Sequence, residues 1–195
     1  MHEGAALARA GVILSSGSPQ RKAILEQLGV DFRVEVPEVE EVTEGDPREL
    51  VVENALRKAR ACAGETVLGA ETVLAADTAV VLGDRVFGKP TDAGEAEDFL
   101  RRLSGVTHQV MTGVAIRTAA GERSDVALTQ VRFRELDRAD LDWYLASGEW
   151  RGRAGAYAIQ GRGAALVEWI EGDYWNVVGL PVALLLRLLP DLLRG

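Results

Sequence analysis

Val12-Ile13-Leu14-Ser15-Ser16-Gly17-Ser18-Pro19-Gln20-Arg21-Lys22 runs from an apolar segment, through a Ser- and Gly-rich turn, into a helix start. Gly11–Leu14, with Val12 and Ile13, has the composition of a short strand. Ser18 is a suitable N-cap, and Pro19 takes the first helical position, where its missing N–H costs nothing. Ala23, Ile24, Leu25 and Leu28 form the apolar face of the helix that follows, and Gly29 ends it. A strand feeding directly into a helix is the opening unit of an α/β layered domain. The same junction points hydroxyls and free backbone N–H groups at one spot, where the helix dipole favours an anion. Arg21 and Lys22 in the first turn add charge.

Outward from this unit the pattern continues. Phe32, Val34 and Val36 alternate with Arg33 and Glu35, which predicts a half-buried strand over 31–36. An acidic loop spans Glu38 to Asp46. Asp46-Pro47 then opens a helix to about Ala63, with Leu50, Val51, Asn54, Ala55, Lys58 and Ala59 at helical spacing. Val67-Leu-Gly-Ala-Glu-Thr-Val and Val73-Leu-Ala-Ala-Asp-Thr-Ala-Val are near copies, one a central strand and the other an insertion beside it. A helix over Ala93–Leu103 follows Gly88-Lys89-Pro90. Val110–Thr118 and Ser124–Leu136 read as an antiparallel hairpin. Then come a helix over Arg138–Ser147, short strands at Ala156–Gln160 and Ala165–Ile170, a Gly-bounded loop from Gly172, and a buried helix from Pro181. The fold class is α/β: a mixed twisted sheet flanked by helices, in one domain over 1–195.

The composition narrows the function. A net charge of −8 argues against non-specific binding to nucleic acid or to an anionic membrane. A phosphate-bearing ligand therefore needs a local cationic patch, with a divalent metal to offset nearby carboxylates. Of 22 basic residues only Lys22, Lys58 and Lys89 are lysines, and each lies in a segment that reads as part of an anion site. Cys62 is the sole cysteine, so no intramolecular disulfide forms and a reducing cytoplasm is expected; Cys62 itself reads as a packing residue. The N-terminal ten residues lack a secretory pattern. The apolar run Leu180–Leu193 is interrupted by Arg187 and Pro190, and is shorter than the roughly 20 residues of a membrane span.

Several residues can carry chemistry. Asp77 follows Ala75-Ala76 and precedes Thr78, which places a carboxylate near a strand end, able to ligate Mg²⁺ or to orient and deprotonate a water. On spacing alone Glu71, in the other copy, is an equal candidate. Glu40-Glu41 adds acid nearby, although such a pair also suits a solvated loop. Gln160, in Ile-Gln-Gly, offers donor and acceptor to a base edge. His108 reads as a loop or structural histidine, and with one other His in the chain no zinc cluster can form. There is no P-loop, no Gly-x-Gly-x-x-Gly turn and no Gly-x-Ser-x-Gly elbow.

Taken together, Ser16-Gly17-Ser18-Pro19-Gln20-Arg21, Lys58-Ala59, Ala76-Asp77-Thr78, Gly88-Lys89-Pro90, Ser104-Gly105 with His108, Thr112-Gly113, Ala154-Gly155-Ala156-Tyr157, Ile159-Gln160-Gly161 and Val178-Gly179-Leu180-Pro181 resemble the Maf family of nucleoside triphosphate pyrophosphatases, in the family's order across nearly the whole chain. The resemblance implies a fold similar to the inosine-triphosphate pyrophosphatases, with a central cleft. It implies hydrolysis between the α and β phosphates with a divalent metal, Mg²⁺ or Mn²⁺. Asp77, rather than Glu71, would be the catalytic base and a metal-linked carboxylate. Glu41, with Glu40 beside it, would help hold the metal. Ser16, Ser18, Arg21, Lys58 and Lys89 would bind the triphosphate. Thr78 and Gln160 resemble the subgroup preferring dTTP and UTP, in which Gln20 replaces a usual Arg at a specificity position. A homodimer in the cytoplasm, with no nucleic-acid or membrane partner, is also implied. The competing expectation is a non-catalytic nucleotide sensor or a regulator of septum formation.

Overall fold

The structure, a computed structural model, describes residues 11–62 and 71–194. The N-terminal ten residues, Ala63 and most of the first copy of the duplicated segment lie outside them. Seven strands join one mixed sheet in the order β2-β1-β3-β5-β6-β7, with β4 on the free flank of β3. They are β1 (Val12–Ser15), β2 (Phe32–Glu35), β3 (Thr72–Leu82), β4 (Arg85–Phe87), β5 (Thr107–Thr118), β6 (Gly121–Phe133) and β7 (Val167–Glu171). The helices are α1 (Pro19–Gln27), α2 (Pro47–Cys62), α3 (Ala93–Leu103), α4 (Arg138–Ser147), α5 (Tyr174–Val178) and α6 (Val182–Leu188). The second copy of the duplication is thus the central strand β3.

β3 organises the molecule. It runs parallel to β1 over Thr72–Ala75 and antiparallel to β5 over Val73–Val81. Its side chains alternate between two faces. Val73, Ala75, Ala79 and Val81 pack towards α2, whereas Leu74, Ala76 and Val80 pack towards the opposite layer. α2 lies very close to the sheet because Gly113 on β5 has no side chain. A Cβ there would sit 2.3 Å from the Val51 carbonyl oxygen.

Three expected elements differ. Ala156–Gln160 is not a strand: Gly155 and Ala156 both take positive φ (66° and 63°), and the Ala158 N–H donates to Tyr144 Oη rather than to a ladder. Apolar alternation there reflects burial against α3 and α4, not pairing. The loop from Gly172 contains α5, whose start is capped by Asp173 accepting from Trp175 N–H at 2.8 Å. The terminal helix is only seven residues long, since Pro190 cannot continue it; Leu184 and Leu185 are buried but Leu193 is exposed. At the sheet edge β2 buries Phe32 in part while Val34 and Val36 remain exposed. Cys62 is buried against Ile13, Ala59 and Val73, as a packing residue would be.

Candidate active site

β1 stops at Ser15, opposite Ala75, while β3 continues to Leu82, and β4 joins only at Val80. The stretch Ala76–Ala79 therefore has an open flank at the carboxyl end of a parallel strand, the usual place for a ligand in an open α/β sheet. Asp77 and Thr78 occupy that flank, one on each face of β3. Asp77 is thus in mid-strand, and it is β1 that ends beside it. Glu71 lies six residues earlier, about 20 Å along the strand, and its carboxylate pairs with Arg33. It takes no part in the cleft.

On the α2 face, Lys58 Nζ lies 2.7 Å from Asp77 Oδ1 and 2.6 Å from Glu41 Oε1. Lys58 and Asp77 side chains are each only 15% exposed. An ammonium has three donors, so one remains for a ligand. Burial pushes the Glu41 carboxyl up, but the Lys58 hydrogen bond and the charges of Lys58, Lys89 and Arg21 outweigh it and leave it below the ordinary value. Glu40 does not line the cleft; its carbonyl accepts from Arg57. Asn54, one turn before Lys58 on α2, fixes the acidic loop: Oδ1 accepts from Val42 N–H at 2.7 Å, and Nδ2 donates to Val42 O at 3.0 Å and to Asp77 Oδ2 at 3.3 Å.

On the other face, Arg21 closes the turn between β1 and α1. Its Nε donates to Gly179 O at 2.8 Å, and its terminal nitrogens donate to Ser16 Oγ at 3.0 Å and Thr78 Oγ1 at 3.1 Å. Burial lowers the Arg21 pKa, while Asp77 and Glu41 act to raise it. The two serines differ in capacity. Ser18 Oγ caps α1 by accepting from Arg21 N–H and gives its proton to Gln20 Oε1. Ser16 Oγ accepts from Ser18 N–H and from Arg21, which leaves its own proton for a ligand. Behind Thr78, Thr112 Oγ1 is 2.9 Å away and reaches Asn176 O, so α5 is tied to the same wall.

The Ser16–Arg21 turn, Glu41, Lys58, Asp77 and Thr78 line one cleft of about 550 Å³. All ten expected site residues border it: Ser16, Ser18, Gln20, Arg21, Glu41, Lys58, Asp77, Thr78, Lys89 and Gln160. Lys22 does not; it pairs with Glu26 on the exposed side of α1. The far wall brings in Arg151 and Arg153, which sequence reasoning did not single out, and Tyr157, which it quoted only within a motif and gave no role. Asn54 was also passed over, although a polar residue inside the apolar stripe of α2 is itself a signal. His108 is structural, but on β5 rather than in a loop, with Nε2 2.9 Å from Tyr157 Oη.

Two carboxylates converging on one ammonium suit a hard divalent cation that takes most ligands from phosphate and water, as Mg²⁺ does. Among the described residues no cluster of three or more His, Cys, Asp or Glu could form an all-protein cage. No helix among them is long and apolar enough to cross a membrane.

Known proteins share this chain's sequence at length. A dTTP/UTP pyrophosphatase of Deinococcus radiodurans is 50% identical over 179 residues, covering 91% of each chain. One of Pyrococcus furiosus is 43% identical over 180 residues, covering 91% of this chain and 93% of its own. Among solved structures, a HAM1 protein from Coxiella burnetii aligns with 80% of this chain and 91% of its own at 19% identity and a TM-score of 0.47. The family model described as "Maf-like protein" matches residues 11–192, and with relatives this similar over nine-tenths of the sequence the chain belongs to the Maf family.

Proposed function

We propose that this chain is a nucleoside triphosphate pyrophosphatase that hydrolyses dTTP and UTP to the monophosphate and pyrophosphate. The observation that carries the reading is the meeting of Asp77, Glu41 and Lys58 through contacts of 2.7 Å or less, opposite the Ser16–Arg21 turn in one cleft. The dTTP/UTP pyrophosphatases at 43–50% identity support the substrate class.

Asp77 accepts the proton of a water that attacks the α-phosphorus in line; the α–β bond breaks and its electrons leave with pyrophosphate. Arg21, Lys58, Lys89 and the Ser16 hydroxyl bind the phosphate oxygens and stabilise the charge that develops there. Asp77 and Glu41 would hold a divalent cation, Mg²⁺ or Mn²⁺, which when bound supplies further neutralisation of the phosphates. Gln160 reads the base edge, with Thr78 and Gln20 shaping the specificity end. The proposal extends to a single domain over 1–195, acting as a homodimer in the cytoplasm.

The test is product analysis of purified protein with dTTP, UTP and other triphosphates, with Mg²⁺ or Mn²⁺ added. Monophosphate plus pyrophosphate is expected, and Asp77→Asn should lower turnover by on the order of 10² or more. Diphosphate plus phosphate, or near-normal turnover in Asp77→Asn, would overturn the assignment.

A further inference from the structure

Gln160 sits at the tip of a tight loop, Ala158–Gly163, and the two side chains that hold the loop, Tyr144 and Glu149, lie outside the cleft. Gly161 N–H bonds to Ala158 O at 3.0 Å and Ala164 N–H to Gly161 O at 3.1 Å, so the loop folds back on itself. Side chains from α4 and from the turn that follows it hold the loop at both sides of Gln160. Tyr144 Oη accepts from Ala158 N–H at 3.1 Å. Glu149 Oε2 accepts from Arg162 N–H at 2.7 Å. The carboxylate presses directly on the residue after Gln160: a Cβ on Gly161 would lie 2.4 Å from Oε2 and 3.0 Å from Oε1.

Glu149 is itself fixed. Its N–H donates to Ser147 Oγ at 3.1 Å, and that hydroxyl donates to Tyr144 O at 2.6 Å. Unlike the acids that pair with arginines across the surface, Glu149 has no ion pair among the described residues and directs its carboxylate at backbone. Neither Tyr144 nor Glu149 borders the cleft. A glutamine amide can present donor and acceptor in either order. Its discrimination between bases therefore depends on where its backbone holds it.

We infer that Glu149 is a positioning residue for base selection: its carboxylate clamps Ala158–Gly163 so that Gln160 meets the base in a fixed place. This rests on the reading of Gln160 as the base-reading side chain of a pyrimidine triphosphate pyrophosphatase. The experiment compares kcat and KM for dTTP, UTP, dCTP and dATP in the wild type, Gln160→Ala, Glu149→Ala, Glu149→Gln and the double variant Glu149→Ala/Gln160→Ala. Glu149→Ala should raise KM for dTTP about tenfold with a smaller change in kcat, and reduce the preference for dTTP over dCTP much as Gln160→Ala does. Glu149→Gln retains an acceptor for Arg162 N–H and should restore most of the preference. The double variant should be no worse than Gln160→Ala alone, because both act through one contact. Gly161→Ala, which forces the same carboxylate away from the loop, gives an independent variant should Glu149→Ala fold poorly.

A wild-type base preference in both Glu149→Ala and Gly161→Ala, alongside a lost preference in Gln160→Ala, would overturn the positioning role alone. Additive losses in the double variant would do the same. An unchanged preference in Gln160→Ala would instead remove the base-reading assignment, and the positioning role with it.

Discussion

Replacing Asn54 by Asp probes how the site holds its acids, because the change keeps volume and alters only donors and charge. Asn54 is 2% exposed. Its Nδ2 donates both to Val42 O and to Asp77 Oδ2, the latter at 3.3 Å. After substitution an oxygen faces each of those acceptors. Two ionised carboxylates at that separation repel by about 5 kcal/mol with an effective dielectric near 20. Proton uptake limits this cost, and protonating an ordinary carboxylate at pH 7 costs about 4 kcal/mol. Losing the Val42 carbonyl bond adds about 1 kcal/mol. The sum, about 5 kcal/mol at most, compares with a total of roughly 5–15 kcal/mol for a domain. Asn54→Ala strips the same bonds without adding charge and should cost about 2–3 kcal/mol. The sign with pH separates the two. The introduced carboxyl has a folded pKa raised above its unfolded value, so its penalty is absent below about pH 4 and grows as pH rises. Urea unfolding at pH 7 should therefore rank wild type above Asn54→Ala above Asn54→Asp, with the gap between the variants closing towards pH 4. If Asn54→Asp unfolds at the wild-type urea midpoint at pH 7, Asn54 is not the clamp that joins α2, the acidic loop and Asp77.

Other substitutions follow from the same geometry. His108 is held neutral by burial, its pKa pushed down to about 4. Below pH 6.5 the unfolded chain gains a proton that the native state refuses, so stability falls by about 3 kcal/mol between pH 6.5 and 4; His108→Gln should flatten that part of the urea-midpoint profile relative to wild type. Gly113→Ala puts a Cβ 2.3 Å from Val51 O. It should cost about 1–3 kcal/mol or more, and a thermal melt together with kcat should show both falling, since α2 carries Asn54 and Lys58. Arg21→Lys cannot serve Gly179, Ser16 and Thr78 together. A loss of about 2–4 kcal/mol by urea unfolding and a raised KM for dTTP are expected.

Where residues announce their own conformation, the sequence was a sufficient guide. Ser18-Pro19 and the apolar spacing after it place α1, and the expected ranges of α3 and α4 agree with the observed bounds, where Asp92 and Asp137 cap the helix starts. Elements set by partners far along the chain were not legible. Ala156–Gln160 alternates like a strand, yet consecutive positive φ values and the Tyr144 hydroxyl decide its path. β4 is three residues long and exists because β3 outlasts β1 and leaves a flank to pair. Asn176 reads as a turn residue in sequence, but it is buried, with Nδ2 donating to Val110 O and Thr129 Oγ1. The ten expected residues that border the cleft could be named from short motifs. Opposite facing of Asp77 and Thr78 follows from strand alternation; what could not be foreseen was which elements cover each face, α2 equipping the first and α1 with α5 the second.

The charge of the cleft is the harder problem, since a chain of net charge −8 must attract a polyanion. Several acids away from the cleft are answered locally: Arg60 pairs with Glu122, Arg101 with Glu97, Arg132 with Glu168 and Arg138 with Asp142. Such surface pairs contribute little to stability, but they remove unopposed negative charge from the surroundings. The cleft is built the other way. Arg21, Lys89, Arg151 and Arg153 border it with no carboxylate at ion-pairing distance among the described residues, and Arg151 lies over Trp150 instead. Among the described residues Lys58 is the one cation there that is paired, to Glu41 and Asp77, the two acids proposed to hold the metal. Positive potential is thus concentrated where low-dielectric walls strengthen it, and only a ligand bringing several negative charges can satisfy those cations together. The three lysines divide on the same line: Lys58 and Lys89 border the cleft, whereas Lys22 joins the surface pairing with Glu26.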